Sequence, residues 1–149
     1  MTSSTKELIV AQNTLMYVDY KEEANMKKQT TNQQIAQEIY NWCKKNDLWD
    51  DNCIYFDGKA WAAWDNWGNV KGKQITNDLY EYENKDPRDY FPGGDNSIIS
   101  MSFEGSLNHV LNAYVNGWVK LSNSFHELFN KYGLVFEMYN SWNGNAYRI

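Results

Sequence analysis

Cysteine, histidine, proline and arginine each occur only twice in the chain. Cys43, Cys53, His109 and His126 are therefore the whole supply of thiol and imidazole ligands. Neither a CxxC pair nor an HExxH helix can be written from them, so no metal centre and no cofactor is expected. Asp50 and Asn52 superficially match a calcium loop, but Tyr55 stands where the sharp turn of that loop needs glycine. A nucleophile elbow G-x-S-x-G, a glycine-rich phosphate loop and a dinucleotide fingerprint are all missing, and Lys71-Gly72-Lys73 is too short to substitute. No run approaches the roughly 18 apolar residues of a membrane-spanning helix. The start, Met1 to Glu7, is not a basic leader, and the apolar Leu8–Ala11 run behind it is short for a signal segment. The simplest expectation is a cytoplasmic protein. In that reducing setting both cysteines read as small buried hydrophobes, and a Cys43–Cys53 disulfide would require export.

What the chain does have is aromatic surface, asparagine and unevenly placed charge. Aromatic residues make up 16% of the 149 residues, enough apolar area to offset chain entropy and exclude disorder in a single-domain length. Asparagine occurs 19 times and lysine outnumbers arginine 12 to 2, a codon signature of an AT-rich genome or its mobile elements. The net charge of −5 resides in the middle third: residues 47–95 carry eleven acids against five bases, while residues 1–46 and 96–149 are nearly neutral. That field repels nucleic acid and attracts basic surfaces, so the expected partner is a basic protein and direct nucleic-acid binding is not expected.

Residues 1–25 give no clear pattern and are set apart as an N-terminal appendage, with Met26 a possible start of the domain proper, 26–149. A helix capped by Thr30 or Thr31 and running to Lys45 is predicted from the stripe Ile35, Ala36, Ile39, Tyr40 and Cys43. Asp57-Gly58 between Cys53–Phe56 and Lys59–Trp64 predicts a type I′ hairpin pairing Phe56 with Lys59, Tyr55 with Ala60, Ile54 with Trp61 and Cys53 with Ala62. A strand over Gln74–Tyr82, a short helical turn opened by Asp86-Pro87, and an alternating strand ending at Phe103 follow. Ser106 is read as the cap of a helix carrying Leu107, Val110, Leu111 and Tyr114. A further helix, capped by Ser122 or Ser124, carries Phe125, Leu128, Phe129 and Tyr132 and stops before Gly133. A closing hairpin is predicted with Leu134–Tyr139 and Ala146–Ile149 as strands and Asn143-Gly144 as its turn. Hairpins dominate and βαβ alternation is absent, which predicts an α+β fold with an antiparallel sheet covered by about three helices.

Trp61, Trp64 and Trp67 fall within seven residues. The hairpin register puts Trp61 on the face of Ile54, in the core, and Trp64 on the opposite face beside Tyr55 and Ala62. This argues against one flat sugar-stacking platform, although carbohydrate binding through exposed Trp64, Trp67 and Trp142 is carried as an alternative. Tyr80-Glu81-Tyr82-Glu83 and Asp86 to Tyr90 interleave rings with carboxylates. The predicted partner-binding set is accordingly Trp64, Trp67, Tyr80, Glu81, Tyr82, Glu83, Asp86, Asp89 and Tyr90, gripping a basic partner by ion pairing and stacking. Phe91, Trp118 and Trp142 are further aromatic candidates. No catalytic residue is expected; Glu104 and Asp89 are the only guesses for an enzyme.

Residues 100–112, residues 131–143 and Cys53–Lys59 resemble segments of small accessory proteins carried by phages and conjugative elements of low-GC Gram-positive bacteria. The resemblance covers about half the chain and brings no catalytic residues with it. It implies an anti-defence role of the anti-CRISPR or antirestriction type, in which small acidic proteins block the nucleic-acid channel of a basic effector. A toxin-neutralising immunity protein is the physically similar alternative.

Overall fold

The computed structural model describes residues 32–93 and 95–149. The readings for residues 1–25, the Thr30 or Thr31 cap and a start at Met26 lie outside the described residues. Helix α1 spans residues 32–45 and ends where Asp47 takes a left-handed conformation. Strands β1 (Asn52–Phe56), β2 (Lys59–Asp65), β3 (Gln74–Glu83) and β4 (Ile99–Phe103) follow. Then come α2 (Ser106–Leu111), α3 (Trp118–Asn130), β5 (Leu134–Asn140) and β6 (Asn143–Arg148). The six strands form one antiparallel sheet in the order β3-β2-β1-β4-β6-β5, an α+β architecture. No helix among the described residues is long and apolar enough to cross a membrane.

The β1–β2 hairpin has the register its turn dictates, from Phe56 against Lys59 to Cys53 against Ala62. Asp57 and Gly58 both have positive φ, 50° and 75°, as a type I′ turn requires. Register decides which side chains go where, because successive strand residues point to opposite faces. Ile54, Phe56, Trp61, Ala63, Ile99, Met101, Phe103 and Phe136 share the face under the helices. There α1 adds Ile35, Ala36, Ile39 and Cys43, α2 adds Leu107 and Val110, and α3 adds Phe125 and Phe129. The rings of Phe125 and Phe129 both lie 5.0 Å from that of Phe136, which fixes α3 on β5. Each such ring buried stabilises by about 1.5–3 kcal/mol.

Local details differ from the sequence reading in four places. Ser106 is the first helical residue of α2 rather than its cap; Gly105 takes the cap position, and Asp50 Oδ2 accepts from both the Ser106 N–H (2.9 Å) and its hydroxyl (2.8 Å). A carboxylate distant in sequence thus does the work of a local cap. Helix α2 stops at Leu111, leaving Tyr114 73% exposed instead of on the core stripe. Helix α3 begins at Trp118 after a left-handed Gly117, a full turn before Ser122. Asn143-Gly144 lies inside β6, and the turn falls at Ser141-Trp142. Gly144 is glycine because a β-carbon there would come within 2.5 Å of Phe136 Cζ and 2.7 Å of the Glu137 carbonyl. Close approach, not a turn, demands it.

Candidate functional site

The face of the sheet away from the helices carries its own aromatic cluster. Cys53, Tyr55, Ala60, Ala62 and Trp64 point there from β1 and β2. Ala60 and Ala62 are small, and they leave a shallow bay that the chain fills with rings from elsewhere. Trp67, delivered by the turn after β2, contacts four of them: Tyr90 at 5.0 Å, Tyr82 at 5.4 Å, Trp64 at 5.5 Å and Tyr55 at 6.1 Å between ring centroids. Most of these pairs are edge-to-face, the arrangement the ring quadrupoles favour. Phe91 and Trp142 extend the cluster, 5.9 Å apart. Tyr90 and Phe91 are brought in by the 3-10 turn Pro87–Asp89, which opens as expected: the Asp86 side chain accepts from the Arg88 N–H, with Pro87 at the first helical position.

Trp64, predicted as an exposed contact, is only 4% exposed and floors this cluster. Strand parity puts it on this face, where Trp67 packs against it. Trp67 and Tyr82 are half-buried, and the Tyr82 hydroxyl donates to the Trp64 carbonyl at 2.8 Å. Burial also pushes the Tyr82 phenol above its ordinary pKa. Tyr80 is half-buried and accepts from the Thr76 hydroxyl at 3.0 Å. Tyr90 is 43% exposed. The predicted rings are thus drawn together, but as a small second core with one open side rather than a platform.

The predicted carboxylates separate into tied and free groups. Glu81 Oε1 accepts from the Trp61 indole N–H at 2.9 Å and lies 3.3 Å from Lys59 Nζ. The Trp61 hydrogen bond, helped by Lys59, holds its carboxyl below the usual range. Asp86 is held low by hydrogen bonds from Arg88, whose guanidinium also reaches Asp95 at 3.8 Å. Glu83 and Asp89 are exposed and make no ion pair among the described residues, and Asp78 on the same strand is likewise unpaired. Together they make an acidic rim: Asp78 and Glu83 lie on β3, an edge strand among the described residues, with Glu83 opposite Lys59 on its helix side, and Asp89 lies in the 3-10 turn.

Between the rings and the sheet lies a cleft of about 160 Å³. Trp64, Trp67, Trp142, Lys73, Ser102 and Glu104 are among its walls. Lys73 Nζ sits 4.2 Å above the Trp64 ring and Lys85 Nζ 4.3 Å above the Trp67 ring. Sequence reasoning assigned neither lysine a role; only the fold brings the 65–73 and 84–90 segments over one aromatic bay. Trp42, Trp49 and Trp61 each donate their indole N–H to an acceptor, whereas the buried Trp64 Nε1 has none among the described residues. A second cleft of about 310 Å³, lined by Lys85, Asp86, Arg88, Asn96 and Ser100, shares Tyr55 with the first.

Both thiols are free and buried, and burial raises their pKa far above the ordinary value, which suppresses the reactive thiolate. Among the described residues no three His, Cys, Asp or Glu side chains converge in a metal-holding group. No family model, curated protein or solved structure matches the chain.

Proposed function

We propose that the protein is a cytoplasmic, non-enzymatic binding protein that inhibits a basic nucleic-acid-handling defence protein, in the manner of an anti-CRISPR or antirestriction inhibitor. The observation that carries this reading is the acidic rim beside the aromatic bay. Residues 74–95 contain six acids and two bases, so this one segment holds most of the chain's net −5. Its unpaired carboxylates include Glu83 at the end of β3 and Asp89, next in the chain to the half-exposed Tyr90. Charge of one sign next to accessible rings suits a partner rich in arginine and lysine, through steering in solution and stacking on contact.

The test is capture of host proteins on the immobilised full chain, with Glu83→Lys/Asp89→Lys run in parallel. Asp86 is left intact because it caps the turn that carries Tyr90. A basic nuclease or other nucleic-acid-handling protein should be retained by the natural chain. The variant should slow its association by about tenfold or more, since rim charges act mainly on encounter. Equal capture and equal inhibition by both chains would overturn the reading. A secreted or co-encoded toxin as the retained basic protein would reassign the partner to the immunity class.

A further inference from the structure

We propose that the 160 Å³ aromatic cleft receives a basic side chain of the partner, an arginine guanidinium or lysine ammonium, and that Lys73 is its internal stand-in. The inference rests on the reading above and says how that partner would be gripped. At about 30 Å³ of liquid volume per water, the space corresponds to about five waters, room for one planar cation head. The indole faces already attract ammonium groups: Lys73 lies 4.2 Å over Trp64 and Lys85 4.3 Å over Trp67. Neither lysine has a carboxylate within ion-pair distance among the described residues, so the rings, not salt bridges, hold them in place.

The wall chemistry points the same way. Glu104 presents an exposed carboxylate at the cleft. Behind it Asp51 carries a buried, unpartnered oxygen. Burial raises the Asp51 carboxyl, and the positive charge of Lys73 acts against that rise. Lys73 is exposed at the end of a turn-rich segment and reaches the ring on a flexible four-carbon stem, so it can yield its place to a better-held cation.

The probe is N-acetyl-L-arginine amide, titrated into the ¹⁵N-labelled full chain while the indole N–H signals are followed. Saturable shifts of Trp64, Trp67 and Trp142 are expected. Glu104→Gln should weaken binding about fivefold, and Lys73→Met, which removes the internal competitor, should tighten it by about the same factor. The sign of the Lys73→Met effect is the discriminating result, because a site for anions would lose affinity in that variant. The neutral isostere N-acetyl-citrulline amide should not compete. Equal binding of the citrulline analogue, preferential binding of adenosine monophosphate, or unshifted indole signals in both the natural chain and Lys73→Met would each overturn the proposal. Should the probe fail while Glu83→Lys/Asp89→Lys still slows partner association, the cleft proposal falls and the acidic rim stands.

Discussion

Replacing Trp67 by alanine tests whether the aromatic bay is structure as well as surface. The indole contacts four rings and covers the small residues Ala60 and Ala62, with Cys53 also in the cluster beneath. A fully buried Trp→Ala change costs about 3–5 kcal/mol. Trp67 is half-buried, so the area it removes from water is smaller, but each ring pair adds about 0.5–1.5 kcal/mol beyond area, non-additively. The expected loss is about 2–3 kcal/mol, or about 8 °C in Tm for a chain of this size. Urea denaturation followed by far-ultraviolet circular dichroism measures it without relying on the deleted fluorophore. A second readout is thiol labelling. Cys53 lies on the aromatic face and Cys43 on the helix face, so Trp67→Ala should accelerate labelling of Cys53 while Cys43 stays protected. Trp67→Phe should recover about half the stability. A loss below about 0.5 kcal/mol, the size of an ordinary surface substitution, with both thiols equally protected would refute the idea that Trp67 closes a second core.

Gly144→Ala should cost about 1–3 kcal/mol by overpacking against Phe136, and Phe136→Leu in the same chain should restore part of it in a double-mutant cycle. Asp50→Ala removes the two hydrogen bonds that hold the start of α2 and should cost about 1–2 kcal/mol by the usual scale of caps, read from urea midpoints. Asp51 gives a pH signature. Burial raises its folded pKa above the ordinary 3.8, so its contribution favours folding fully only below that value and is lost as pH rises through the folded pKa. Asp51→Asn should therefore raise Tm at pH 7 and leave it unchanged near pH 3; an equal shift at both would rule out ionisation as the cause.

Much of the fold was legible because short-range signals agreed with long-range ones. Asp57-Gly58 set the register of β1 and β2, and that register sorted Trp61 from Trp64 by face. Alternation in Ile99, Met101 and Phe103 likewise identified the core side of β4. Two of the failures involve contacts with other elements of the fold. Asp50 stabilises the start of α2 across 56 residues, and nothing near Ser106 announces it. Gly144 looked like a turn residue because the ring that crowds it, Phe136, comes from β5, the strand paired with its own. The site was half legible for the same reason. Parity put Trp64 on one face with Tyr55 and Ala62. That Trp67 would pack on that face and that Lys73 and Lys85 would cap the indoles depended on where two loops return. The 1–25 segment lies outside the described residues.

The acidic rim also constrains how a partner can dock. Among the described residues β3 is an edge strand of ten residues, and an edge of that length invites another strand to pair with it. Two features oppose such pairing. Asp78, Glu81 and Glu83 place charge along the edge, and left-handed Asn77 interrupts the strand where its register with β2 shifts. Main-chain addition is thus discouraged by the same charges to which we propose a basic partner binds, and side-chain contact is the mode of binding that proposal implies. The two modes differ in salt dependence. Carboxylate-led docking should weaken steeply between low salt and about 1 M, where the screening length falls to about 3 Å, whereas strand pairing should hardly respond. Binding that persists at about 1 M salt would instead direct attention to the exposed Tyr114, Val115, Trp118 and Val119 at the start of α3, an apolar patch with no use for the rim.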